Sequence, residues 1–94
     1  MIEVQLSTQS IQKPIITFHA NAVQFFYVTA NGAEKSFHVG HIKSIELTAD
    51  NKGRRKLVLK TDYHTLTEDV DERAVSKVQE LVAAVQAAMK SVSL

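Results

Sequence analysis

The spacing of apolar residues divides the chain in two. Up to residue 68 they come in short alternating runs bounded by turn residues, the period-two signature of half-buried strands. Beyond it Ala74, Val75, Val78, Leu81, Val82, Val85, Met89 and Val92 recur at i, i+3, i+4 and i+7, one stripe of a helix. The pattern predicts a continuous amphipathic helix over residues 69–92. Asp69 with Glu72 three residues later reads as its capping box. Asp69, Asp71 and Glu72 at its start and Lys90 near its end suit the helix dipole.

Before the helix, the alternation and the turn residues predict seven strands. Ile2, Val4 and Leu6 make the first, and a polar stretch over 7–13 reads as a loop. Pro14 opens the second, over 15–19, at a position where no ladder donor is lost. Ala20-Asn21 reads as a turn into a third strand over 22–30. Asn31-Gly32 suits a two-residue hairpin turn, which places Phe26 opposite Phe37 and Val28 opposite Lys35. The fourth strand covers 33–39, Gly40 interrupts it, and a fifth covers 42–49. Asn51-Lys52-Gly53 fits a three-residue loop with a left-handed glycine, setting Asp50 opposite Arg54, Leu47 opposite Leu57 and Ile45 opposite Leu59. Asp62-Tyr63 turns a sixth strand over 56–61 into a seventh over 64–68, with Leu59 opposite Leu66. Two independent turns thus place Ile45, Leu59 and Leu66 in one apolar row. The fold class expected is mainly β with one C-terminal α-helix: a bent antiparallel sheet or split barrel of about seven strands.

The strand rhythm ITFHANAVQFFYV, KSFHVGHIKSIEL and RKLVLKT, followed by the helix ERAVSKVQELVAAVQAAM, resembles the pleckstrin-homology-like superfamily. It looks most like the short bacterial members, where a bend precedes an Ile-x-x-Ile-x-Leu strand, here Ile42, Ile45 and Leu47. The resemblance covers residues 15–89 and is architectural. It implies a strongly bent sheet, or two packed sheets, closed at one open end by the C-terminal helix. The chain departs from that family in having no tryptophan in the helix. It also lacks the basic motif that phosphoinositide-binding members carry between their first two strands. No functional residue is carried over.

Composition narrows the function classes. Ninety-four residues make a single domain over 1–94, and 45% hydrophobic with 22% charged residues is ordinary for a globular protein. A net charge of +1 argues against a dedicated nucleic-acid binder and leaves self-association unopposed. The absence of cysteine excludes disulfides and thiolate chemistry within the chain. Residues 1–6 have no leader pattern, and no apolar run has transmembrane length, so a cytoplasmic location is expected.

Chemical candidates are few. Lys52, Arg54, Arg55 and Lys56 on a hairpin tip, with Lys60 farther along the strand, form a candidate anion-binding patch for lipid head groups or phosphorylated ligands. A solvated hairpin tip is the simpler explanation of these charges, and the near-zero net charge favours it. His38 and His41 have H-x-x-H spacing, but on a strand that spacing sends the rings to opposite faces, so no metal site is expected. No nucleophile elbow, phosphate-binding glycine loop or zinc-protease motif occurs, and the cap explains the carboxylates Glu68, Asp69, Asp71 and Glu72. No enzyme activity and no cofactor are expected.

The anomaly is Phe25, Phe26, Tyr27 and Val28. Four consecutive large apolar residues on one strand present to both faces, and one helix covers one side. Either a curved sheet buries both faces or a partner covers one. These four are the candidate interface. The first strand, over 2–6, pairs with an edge in cis or across a dimer. The function expected is a non-enzymatic binding or scaffolding module acting through protein–protein contacts, with a homodimer through this sheet or its neighbouring edge. The alternative is a peripheral module that binds anionic head groups through residues 52–60.

Overall fold

In the computed structural model, which describes residues 1–7, 14–27 and 33–92, two antiparallel sheets are followed by a C-terminal helix. The first sheet holds β1 (Ile2–Gln5), β2 (Pro14–His19), β3 (Ala22–Tyr27) and β4 (Ala33–His38) in chain order. The second holds β5 (Ile42–Ala49), β6 (Arg55–Thr61) and β7 (Thr65–Val70). The helix α1 spans Val75–Val92. The expected class, mainly β with one C-terminal helix, is what the chain adopts. The two sheets remain separate and do not close into a barrel.

Strand pairing sorts the side chains into rows. In the first sheet Ile2, Phe18, Val23 and Phe37 form one inward row, and Val4, Ile16, Phe25 and Lys35 the next. In the second sheet Ile45, Leu59 and Leu66 lie side by side, with Leu47, Leu57 and Glu68 beyond them. The registers expected from Asn51-Lys52-Gly53 and Asp62-Tyr63 are therefore those of the structure. Gly53 takes φ +78°, which an L side chain adopts only with strain. The Asp50 carboxylate accepts hydrogen bonds from the Arg54 and Lys52 N–H groups at 2.8 and 2.9 Å, which hold the loop. Ala20 and Asn21 both take positive φ, as the turn between β2 and β3 requires.

The helix buries Val78, Leu81, Val82 and Val85 against both sheets, with Val75 and Met89 half-buried beside them. Gln86 on α1 donates to the Ile45 carbonyl at 2.9 Å and so covers the outer edge of β5. The first strand pairs in cis. Leu6 N–H donates to the Pro14 carbonyl at 2.9 Å, and proline has no N–H to return. The Leu6 carbonyl accepts instead from the Asp71 N–H at 2.7 Å, which ties β1 to the segment that leads into the helix.

Three expectations are corrected. The helix does not run from residue 69. β7 continues to Val70, a 3₁₀ turn covers Glu72–Ala74, and α1 begins at Val75. Asp69 is a strand residue opposite Lys56, and burial of Val70 holds the ladder two residues beyond the expected end at residue 68. The capping box is therefore absent. The β3–β4 register also differs: Phe26 lies opposite Glu34, Phe25 opposite Lys35, and Phe37 opposite Val23. An odd offset exchanges faces, and the observed register is the one that turns Phe37 inward, edge-on to Phe25 with ring centroids 6.4 Å apart. The Asn31-Gly32 turn that suggested the other register lies outside the described residues. Finally, β4 ends at His38, and Val39–His41 form a 3₁₀ turn around Gly40.

Candidate functional site

The candidate interface is divided by alternation along β3. Phe25 and Tyr27 point inward and are 1% and 6% exposed, whereas Phe26 points outward and is 39% exposed. Val28 lies outside the described residues. Phe26 sits directly opposite the half-buried Ile15 of β2, between Gln5 of β1 and Glu34 of β4 in the same cross-strand row. The neighbouring outward row is polar: Glu3, Thr17, Gln24 and Ser36. Phe26 and Ile15 thus form a small apolar island on a polar sheet face, beside two large residues that belong to the core.

Tyr27 joins the two sheets. Its hydroxyl donates to Glu68 Oε2 of β7 at 2.9 Å, and Lys35 Nζ lies 5.9 Å from the centre of its ring. Burial pushes the phenol's pKa up, and the hydrogen bond to Glu68 and the carboxylate's negative charge push it further. Because the folded state retains a proton that the unfolded chain releases above about pH 10, this contact stabilises the fold below that pH and the contribution is lost as pH rises above it. Tyr27→Phe is expected to cost about 1 kcal/mol, or about 4–8 °C in melting temperature. The gap from wild type should be constant from pH 7 to 9 and narrow above pH 10 in thermal melts.

The basic hairpin brings Lys52, Arg54 and Arg55 to one side of a cleft of about 540 Å³. The same cleft is lined by Asp69 of β7 and by Asp71 and Glu72 at the start of the helical segment. Arg54 pairs with Asp50 at 3.7 Å and Lys56 with Asp69 at 3.8 Å. The Arg54 backbone N–H holds the Asp50 carboxyl below its usual pKa, against an opposing desolvation. The Lys52 N–H and the charges of Arg54 and Lys56 add to the lowering. Lys52, Arg55 and Lys60 have no ion-pair partner among the described residues. The patch is thus a mixed-charge cleft, with cations and carboxylates facing each other.

No protein-family model, curated protein or solved structure gives a significant match to this chain.

His38 and His41 are closer than strand geometry allows. The 3₁₀ turn has three residues per turn, so i and i+3 share a side, and the rings meet edge-on at 6.4 Å. This corrects the opposite-face expectation. His38 Nδ1 accepts from the Gly40 N–H at 3.0 Å, which uses that nitrogen to cap the turn. Among the described residues no group of three or more His, Asp or Glu side chains is arranged to hold a metal ion. No described helix is long and apolar enough to cross a membrane.

One feature escaped the sequence reading: a cleft of about 430 Å³ between β4 and β7, lined by Lys35, Ser36 and Phe37 on one side and His64, Thr65 and Leu66 on the other. A signal for it was present. Lys35 and Glu68 occupy positions where alternation calls for an inward apolar side chain, and both sit on strands that end a sheet.

Proposed function

We propose that the protein is a non-enzymatic binding module that acts through protein–protein contacts and self-associates through the outer face of its first sheet. The observation that carries this reading is Phe26, 39% exposed beside Ile15 on an otherwise polar face. Burying such a side chain contributes about 1.5–3 kcal/mol, and a twofold pairing brings the patch of each copy together so that one substitution acts twice. The net charge of +1 offers little resistance to association. From the order of four strands, three strands and helix we further propose that the chain belongs to the pleckstrin-homology-like superfamily.

Sedimentation of wild type beside Phe26→Lys tests self-association. Lysine is preferable to glutamate because position 26 faces Glu34. The wild type should form a dimer that the variant lacks, with both equally folded by circular dichroism. A wild type that stays monomeric at millimolar concentration rejects the reading. The second reading, anionic head-group binding, rests on Lys52, Arg55 and Lys60, which have no ion-pair partner among the described residues. The carboxylates lining the same cleft weigh against it.

A further inference from the structure

The edges of the two sheets are not equivalent. The outer edge of β5 is covered by α1, whose Gln86 takes the Ile45 carbonyl. The end of β1 is held by Asp71 through the Leu6 carbonyl. The edges of β4 and β7 face each other across the 430 Å³ cleft. They run in opposite directions. Tyr27, opposite Ala33 at the start of β4, reaches Glu68 late in β7, while Lys35 to Phe37 line the cleft with His64 to Leu66.

Backbone hydrogen bonding shows which groups point into this gap. Val39 N–H donates to the Asn21 carbonyl, so by antiparallel alternation Val23–Phe37 and Phe25–Lys35 are the bonded pairs of the β3–β4 ladder. The N–H and C=O groups of Glu34, Ser36 and His38 then face away from β3. Thr61 N–H donates to the His64 carbonyl, and the same count turns the backbone of Thr65 and Thr67 away from β6.

The side chains flanking these groups define what fits. Phe37 and Leu66 are half-buried and continuous with the core, which gives the cleft an apolar floor. Lys35 has no carboxylate partner among the described residues, since Glu68 is engaged by Tyr27 and the ion pairs lie elsewhere. An inward-pointing lysine on an edge strand discourages indiscriminate pairing with apolar strands. It admits a strand that brings a carboxylate to meet it.

We propose that the β4 edge accepts an extended peptide segment as an added antiparallel strand, and that the segment carries an apolar residue followed two positions later by Asp or Glu. Phe37 and Lys35 are two apart on β4 and share a face, so their cross-strand partners are also two apart and reversed in order. The apolar residue meets Phe37, the acidic one meets Lys35, and the residue between them exchanges both ladder bonds with Ser36. Main-chain bonds supply affinity and the alternate side chains supply selectivity. This inference rests on the binding-module reading but uses a different surface from Phe26.

The probe is a labelled, end-blocked heptapeptide of threonines with leucine third and glutamate fifth, paired with a control that has lysine in place of glutamate. Fluorescence anisotropy should show saturable binding of the glutamate peptide by wild type and at least about tenfold weaker binding of the control. Ser36→Pro removes the edge N–H without removing a β3–β4 bond, a substitution edge strands tolerate, and should abolish binding. Lys35→Glu, at an exposed position, should reverse the preference in favour of the lysine peptide. Phe26→Lys should bind the peptide as wild type does, and Ser36→Pro should sediment as wild type does, so failure of this proposal is distinguishable from failure of self-association. No saturable binding by wild type, an unchanged preference in Lys35→Glu, or a wild-type dimer that Ser36→Pro breaks would each overturn it; the last would make the occupant a second copy of this chain.

Discussion

Leu81→Asp is expected to leave the chain unfolded. Leu81 is fully buried in the helix stripe that packs on both sheets, alongside Val78 and Val85. The substitution removes the contacts of a core leucine, about 2–5 kcal/mol, and adds an unpaired carboxylate in an apolar site, several kcal/mol more. Together these match or exceed the total stability of a small domain, about 5–15 kcal/mol. Circular dichroism and urea titration should show no cooperative transition for Leu81→Asp, while Ala87→Asp, on the exposed side of α1, keeps one. A cooperatively folded Leu81→Asp protein would mean that the helix is peripheral to the core.

The second large effect separates adjacent residues. Phe25→Glu is expected to unfold the chain and Phe26→Lys to leave it folded. Phe25 is 1% exposed, lies in the row with Val4 and Ile16, and meets Phe37 edge-on. Truncating such a phenylalanine costs about 3–5 kcal/mol before any charge is buried. Phe26 has the same chemistry one position along, but its Cβ points to the outer face and its cross-strand neighbour Glu34 can pair with a lysine. Thermal melts of the two variants should differ by the whole unfolding transition. Equal destabilisation would mean that both faces of β3 are interior.

How much of this was legible in the sequence depended on the turns. Where a loop was short and its glycine had a single task, as at Asn51-Lys52-Gly53, counting outward gave the Ile45–Leu59–Leu66 row directly. Asn31-Gly32 carried an equally strong local signal but led to the wrong partner for Phe26. The inward demand of Phe37, set by Val23 opposite it, outweighs the preference of a dipeptide. The helix start differs from the expected one for a related reason. Asp69 and Glu72 have the spacing of a capping box, yet Leu66, Glu68 and Val70 continue the period of two, and Val70 is buried. Tertiary burial decided both cases. The two-sided strand at Phe25–Tyr27 stood out in the sequence, but which face was core did not, because alternation alone has no sign. The Tyr27–Glu68 bond and the β4–β7 cleft depend on how the two sheets meet, which no local pattern encodes.

Pro14 links the stability of the two ends of the described chain. Because it returns no hydrogen bond to Leu6, the Leu6 carbonyl is held by Asp71, at the entry to the helical segment. Val4 of β1 and Leu6 just beyond it lie in the same core cluster as Val78 and Leu81 of α1. Releasing the helix strips a backbone partner and an apolar cover from β1 together, and lifting β1 orphans the Asp71 N–H. Terminal segments are ordinarily the first to fray. Strand and helix are therefore expected to open as one cooperative unit, so that in hydrogen exchange the protection of the β1 amides falls together with that of α1.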